Sequence, residues 1–231
     1  MKHKYTLFFL TLSLFLTGSA RAHEPGQFIV RAGISHVAPI ENSDPVLLNG
    51  NIFSLGGSHS DLGVDNSTEL GFTLNYMLSR DFSVELLAAT PFRHAVTGTG
   101  GLEGIDIADV RQLPPTLSLI YHLPLSGTVQ PYVGVGINYT AFFKEDLTGK
   151  ANATFSALRL TDGKVSLDSS VGASMQAGVD YHLQGNMLFN LSVRWIDINT
   201  EAKIDFSNGS RLNADVEIDP FVYTLALGWV F

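Results

Sequence analysis

The sequence contains no cysteine. No disulfide can staple the fold, so its stability must come from strand pairing and burial. Beyond its first residues it also lacks any apolar run approaching the roughly 20 residues that a membrane-spanning helix needs, which argues against a helical membrane protein. Basic residues are scarce: 14 Lys and Arg stand against 22 Asp and Glu, a formal net charge of −8. Nucleic-acid binding draws its affinity mainly from Lys and Arg on phosphates, so no nucleic-acid partner is expected. His36, His59, His94, His122 and His182 fall at spacings that match no metal motif and have no cysteine to join them. No metal and no cofactor is expected. Nor is an enzyme, because no Ser, His and acid arrangement is recognisable by spacing. Gly134-Val135-Gly136 has no helix pattern after it and is not a nucleotide fingerprint.

What is present begins with a processing signal. Lys2, His3 and Lys4 precede an apolar run from Tyr5 to Leu16, then a Gly18 break and the small-residue triplet Ala20-Arg21-Ala22. That order of charged, apolar and cleavable segments is a secretory signal. Residues 1–22 are therefore expected to be removed by cleavage after Ala22, leaving residues 23–231 as one domain. Losing Lys2, Lys4 and Arg21 makes the acidic excess larger still.

The mature segment carries a period of two. From Val171 to Tyr181, Val171, Ala173, Met175, Ala177, Val179 and Tyr181 fall on one face, and Gly172, Ser174, Gln176, Gly178 and Asp180 on the other. A helix would mix these sets, whereas a strand separates them. The terminal segment from Phe221 to Phe231 alternates in the same way, as do Glu69 to Tyr76 and Val133 to Thr140. Weaker alternation marks Phe28 to Ile34, Phe82 to Thr90, Leu113 to Tyr121 and Phe189 to Trp195. Eight strands suit a closed antiparallel barrel. Period alone does not separate such a barrel from a soluble sandwich, in which the bulky face would point into a core. Connection length favours the barrel. Pro39 to Ser67, Pro91 to Arg111, Phe143 to Ser169 and Asn199 to Glu217 are long and alternate with the short Leu78 to Asp81, His122 to Val129 and His182 to Asn186. Outer-membrane barrels segregate long extracellular loops from short periplasmic turns. Along the last strand, Phe221 and Phe231 are separated by roughly 25 Å of membrane normal at ~3.3 Å per residue and a tilt of ~40°, which suits a pair of aromatic girdles. Trp229, Phe231, Tyr181 and Tyr121 are expected at the periplasmic girdle, and Phe221, Tyr139 and Trp195 at the outer one. The expected fold class is all-β: an eight-stranded antiparallel transmembrane β-barrel.

The stretches HEPGQFIVRAG, VELLAATPFRH, LPPTLSLIYH, PYVGVGINYTAFF and DPFVYTLALGWVF run in this order through the mature chain. On them the sequence resembles the outer membrane protein W family of small outer-membrane barrels. The resemblance implies location in the outer-membrane lipid, a narrow and largely apolar lumen, and passage of small hydrophobic solutes, with lateral release through the barrel wall as one route. Trp229 and the terminal Phe231 resemble the signature by which the outer-membrane assembly machinery recognises its clients.

Three groups of residues are candidates for function. Inward parity places Arg31, Glu69, Glu85, Asp180 and Arg194 in the lumen. Buried charge is costly unless paired, so these residues are expected to form an interior salt-bridge network, with a selectivity role as the alternative. Pro91, Pro114 and Pro115 sit at the ends of the third and fourth strands, where a residue without an N–H leaves a ladder incomplete. They form a lateral gate or merely shape the second loop. Leu47, Leu48, Ile52, Phe53 and Leu55 put apolar surface into an otherwise polar first loop, as the wall of a hydrophobic mouth or as a loop mini-core. Two functions follow from different classes: a passive conduit for small apolar molecules, and a structural or surface-interaction barrel whose loops do the work.

Overall fold

A computed structural model describes residues 23–40 and 42–231; the expected signal segment, residues 1–22, lies outside the described residues. Eight strands build the wall: β1 (Phe28–Ala38), β2 (Ser67–Met77), β3 (Phe82–Ala89), β4 (Thr116–His122), β5 (Val129–Leu147), β6 (Ser170–His182), β7 (Met187–Ile196) and β8 (Phe221–Val230). Each pairs antiparallel with the next, and β8 pairs back onto β1 through a register running from Ile29↔Val230 to Ala38↔Phe221. The sheet therefore closes on itself into a barrel.

Burial decides what the period left open. On β2, Leu70, Phe72, Leu74 and Tyr76 are exposed while Asn75 and Met77 are buried; on β6, Val171 and Met175 are exposed while Ser174, Gln176 and Asp180 are buried. Apolar side chains face out and polar ones face in, the reverse of a soluble sandwich and the arrangement that lipid requires. The inward face works because it is small. Gly178 on β6 is one such place: a Cβ there would lie 2.4 Å from Cζ of Tyr132, whose ring crosses the lumen at this point.

Above the barrel the structure departs from the expected loops. The long connections are largely strands. Phe92–Gly100 and Asp106–Leu113 form a hairpin that joins the upper half of β5 on one side and Ser58–Val64 on the other. A second sheet combines Lys164–Leu167, Asn199–Asp205 and Arg211–Glu217 with Asn42–Ser43, Leu47–Leu48 and Asn51–Ile52. β5 extends to Leu147 rather than ending near Thr140, and Leu113 belongs to the hairpin rather than to β4. The alternation that marks lipid-facing strands fades here because water bathes the outer face, and register shifts near Asp106 and Asp109 interrupt it further. Among the described residues there is one helix, α1 (Gly149–Ala157), capped by Thr148, whose hydroxyl accepts from the Ala151 N–H, and it buries Ala151 and Phe155.

Candidate functional site

The lower lumen is closed by a network of charges. Arg31 on β1 donates through Nε to Asp180 Oδ1 at 3.0 Å and through Nη2 to Oδ2 at 2.5 Å, and its Nη1 reaches Glu85 Oε2 at 3.1 Å. Arg194 on β7 meets Glu85 Oε1 at 2.6 Å. All three Arg–carboxylate pairs are buried, and amides supply further donors: Asn75 and Gln176 each reach Glu85 at 2.8 Å, and Asn190 reaches Asp180 Oδ1 at 2.8 Å. The Arg31 guanidinium also lies over the Tyr132 ring, 5.4 Å from its centre. A small cavity of about 20 Å³ lies beside the network, lined among others by Gly71, Thr73 and Ser192. The sequence-level expectation included Glu69, and here it needs correction. Glu69 is on the inward face, but its carboxylate accepts from the Thr90 hydroxyl at 3.1 Å. Asn75, not Glu69, stands opposite Glu85, and Glu69 is roughly 20 Å further up the strand at ~3.3 Å per residue. Asn75, Gln176, Asn190 and Tyr132 went unnoticed in the sequence because a neutral polar residue at an inward position carries no signal of its own.

Higher up, the wall is incomplete between the third and fourth strands. The β3–β4 ladder ends at Leu87↔Thr116, and the hairpin ladder above resumes at Phe92↔Gln112. Ala88 to Pro91 therefore face Leu113 to Pro115 without pairing. Both sides are held by their other neighbours instead: the Thr90 N–H donates to Leu70 O at 2.9 Å, and Pro115 O accepts from the Tyr139 N–H at 3.0 Å. Pro91, Pro114 and Pro115 all lie in the unpaired stretch, where each lacks the N–H that a ladder would use.

The apolar space sits above this break. A cavity of about 50 Å³ is lined among others by Val46, Leu62, Val64, Ile107, Val110 and Leu212. It shares Leu62, Val64, Ala202, Val216 and Ile218 with an apolar cluster that continues down to Phe92 and Ala89, at the break itself. Leu47, Leu48, Ile52, Phe53 and Leu55 are not in the cavity lining, which corrects the first of the two expectations for them, an apolar mouth, and leaves the second, a loop mini-core. Phe53 is buried in the upper core, Leu48 and Leu55 pack against it, and Ile52 is 62% exposed. Short strand pairings hold Leu47, Leu48, Ile52 and Leu55 in place. Trp229 and Phe231 point outward at the opposite end of the barrel.

The structure also brings together histidines that the sequence keeps apart. At the short-turn end, His23, His122 and Asp180 are buried, with one nitrogen or oxygen of each within 4.8 Å of the others. The His23 ring is 4.9 Å from that of His122 and 5.4 Å from that of His182. Burial, reinforced by those two neighbours, lowers His23 from its usual 6.5 to about 3, so the ring is neutral at ordinary pH. No spacing rule would find this group, since strand closure alone makes its members neighbours.

A closed, inside-out barrel with long elaborated connections at one end and short turns at the other is an outer-membrane β-barrel. Comparison with known proteins narrows the class. A family profile described as the OmpW family matches residues 24–231. Outer membrane protein W of Salmonella typhi is 41% identical over 229 residues, covering 99% of each chain. The crystal structure of OprG from Pseudomonas aeruginosa superimposes with a TM-score of 0.80 at 38% identity, covering 91% of this chain and 98% of that one. A more distant relative, dibenzothiophene metabolism operon protein PahQ of Pseudomonas aeruginosa, is 28% identical over 222 residues, 96% of this chain and 97% of its own. The chain belongs to the OmpW family, and its place is the bacterial outer membrane.

Proposed function

We propose that the chain is a passive conduit for small hydrophobic molecules, which enter through the apolar space above the membrane and leave sideways into the outer leaflet. The observation that carries this reading is the position of the ladder break. It sits where the apolar lining ends at Ala89 and Phe92 and above the buried network of Arg31, Glu85, Asp180 and Arg194. A solute moving down the lumen meets charges it cannot solvate. Moving out at the break, it gains ~25 cal/mol per Å² of apolar surface buried in lipid. Pro91, Pro114 and Pro115 act as the gate in this reading, and the charged layer acts as its floor. A relative named for a dibenzothiophene metabolism operon is in keeping with it. No catalytic step is assigned to the chain.

The test replaces the prolines with residues that can donate. Pro91→Ala combined with Pro114→Ala and Pro115→Ala should let the ladder close and cut the uptake of short alkanes by cells, while the protein still folds and runs as a compact band unheated. Undiminished uptake by a folded triple variant would remove the lateral route. A second reading, a structural barrel that presents its loops, is favoured by the small volume of the cavity, about 50 Å³. It predicts no difference in alkane uptake between cells with and without the protein.

A further inference from the structure

The buried group at the short-turn end has a property that the conduit reading does not use. Nε2 of His23 and Nδ1 of His122 have no hydrogen-bond partner among the described residues, although both side chains are 3% exposed. Unpaired buried nitrogens are costly, and an ordered water or a bound ion is the usual remedy.

The hydrogen-bond chain around His122 fixes which kind of occupant fits. Asn75 donates its amide N–H to Glu85, so its Oδ1 faces Ser83, and the Ser83 hydroxyl donates to that oxygen at 3.1 Å. Having spent its proton there, the Ser83 oxygen can only accept from His122 Nε2, 2.9 Å away. His122 therefore carries its proton on Nε2 and presents a bare lone pair at Nδ1. A neutral imidazole whose far nitrogen is anchored by a hydrogen bond is how proteins prepare a histidine to ligate a metal. Asp180 adds the third arm. Its Oδ1 accepts from Arg31 and Asn190 and its Oδ2 from Arg31 alone, which leaves one lone pair on Oδ2 for another partner.

From this geometry we propose that His23, His122 and Asp180 form a binding site for a divalent transition-metal ion of the zinc class. Two imidazoles and one shared carboxylate suit such an ion. They do not suit magnesium or calcium, which require oxygen ligands on most sides. One ligand atom of each residue lies within 4.8 Å of the others, and side-chain adjustment has to bring them to ~2.0–2.2 Å from a common centre. Arg31 beside Asp180 opposes a dication, so the imidazoles supply most of the affinity. A bound ion would tie the segment ahead of β1 to the ends of β4 and β6, beneath the charge network. This inference rests on the fold and the hydrogen bonds and does not depend on what the conduit carries.

The experiment is calorimetric titration of Zn²⁺ into the untagged protein, isolated from membranes into detergent and stripped with chelator, with Co²⁺ absorption reporting coordination. One equivalent should bind per chain, and Co²⁺ should give the spectrum of nitrogen and oxygen ligation in a low-coordinate site. His122→Phe keeps the ring volume and should weaken binding by on the order of tenfold or more, since it removes a ligand outright, while the unheated band on a gel confirms folding. His59→Ala, at an exposed position of the strand Ser58–Val64, should leave binding unchanged. No saturable binding by the folded wild-type protein would overturn the proposal, as would equal losses in His59→Ala. Cleavage after Ala22 would give His23 a free α-amino group that chelates by itself. Binding that survives His122→Phe and is lost only with His23→Ala would therefore mean terminal chelation and would also overturn the three-armed site.

Discussion

Arg31 and Arg194 look equivalent in the sequence, as inward cations on strands of similar length, but their surroundings make them unequal. Arg194 serves Glu85, which keeps Arg31 if Arg194 is removed. Arg31 serves both Glu85 and Asp180, and Asp180 has no other cation within reach among the described residues. Breaking a buried pair costs about 3 to 5 kcal/mol because a charge is left unpaired. Arg31→Ala should fall in that range and Arg194→Ala should cost less, as measured by urea unfolding of the refolded barrel in detergent. Equal costs would mean that the four charges do not act as one layer. Parity along each strand identified four of these residues correctly, because alternation fixes which face a side chain takes. It could not say which acid meets which base. That depends on register across strands far apart in sequence, and it is why Glu69 was counted in while Asn75 and Gln176 were overlooked.

The eight wall strands were legible in the sequence because lipid imposes a strict apolar period on one face. The strands above the membrane were not, since with water outside and a small core inside neither face needs to be uniformly apolar. The alternation of long and short connections survives in the structure as a difference between the two ends. It leads to a topological test that uses the turns themselves. Gly57, Gly104 and Gly209 have positive φ, and nothing lies within 4 Å of where a Cβ would sit, so each is an open turn that tolerates insertion. Gly101, by contrast, is packed against Ser58 and Leu55. An epitope inserted at Gly57, Gly104 or Gly209 should be labelled by antibody on intact cells, and one at Gly185 only after the outer membrane is opened. The opposite pattern would turn the barrel over.

For the whole molecule, Phe231 separates stability from assembly. Phe231 is 71% exposed and is joined to Phe28 through backbone hydrogen bonds that truncation of its side chain leaves in place. Phe231→Ala should leave the unfolding midpoint of the refolded protein nearly unchanged. If the terminal aromatic is read by the assembly machinery, the same variant should reach the outer membrane of cells in reduced amount. Normal abundance there would mean that the residue is only a girdle anchor. The junction of β1 with β8 also governs time. Almost the whole chain lies between its two partners, so the pairing that seals the wall is the contact of greatest sequence separation in the barrel. Contacts of that kind form late, because the loop-closure entropy is spent before they return anything. Until then β1 and β8 each present a raw edge, the condition in which strands pair with the wrong neighbour. The period in which the protein is most exposed to misassembly therefore ends only when the ten residues of β8 have been delivered to its first strand.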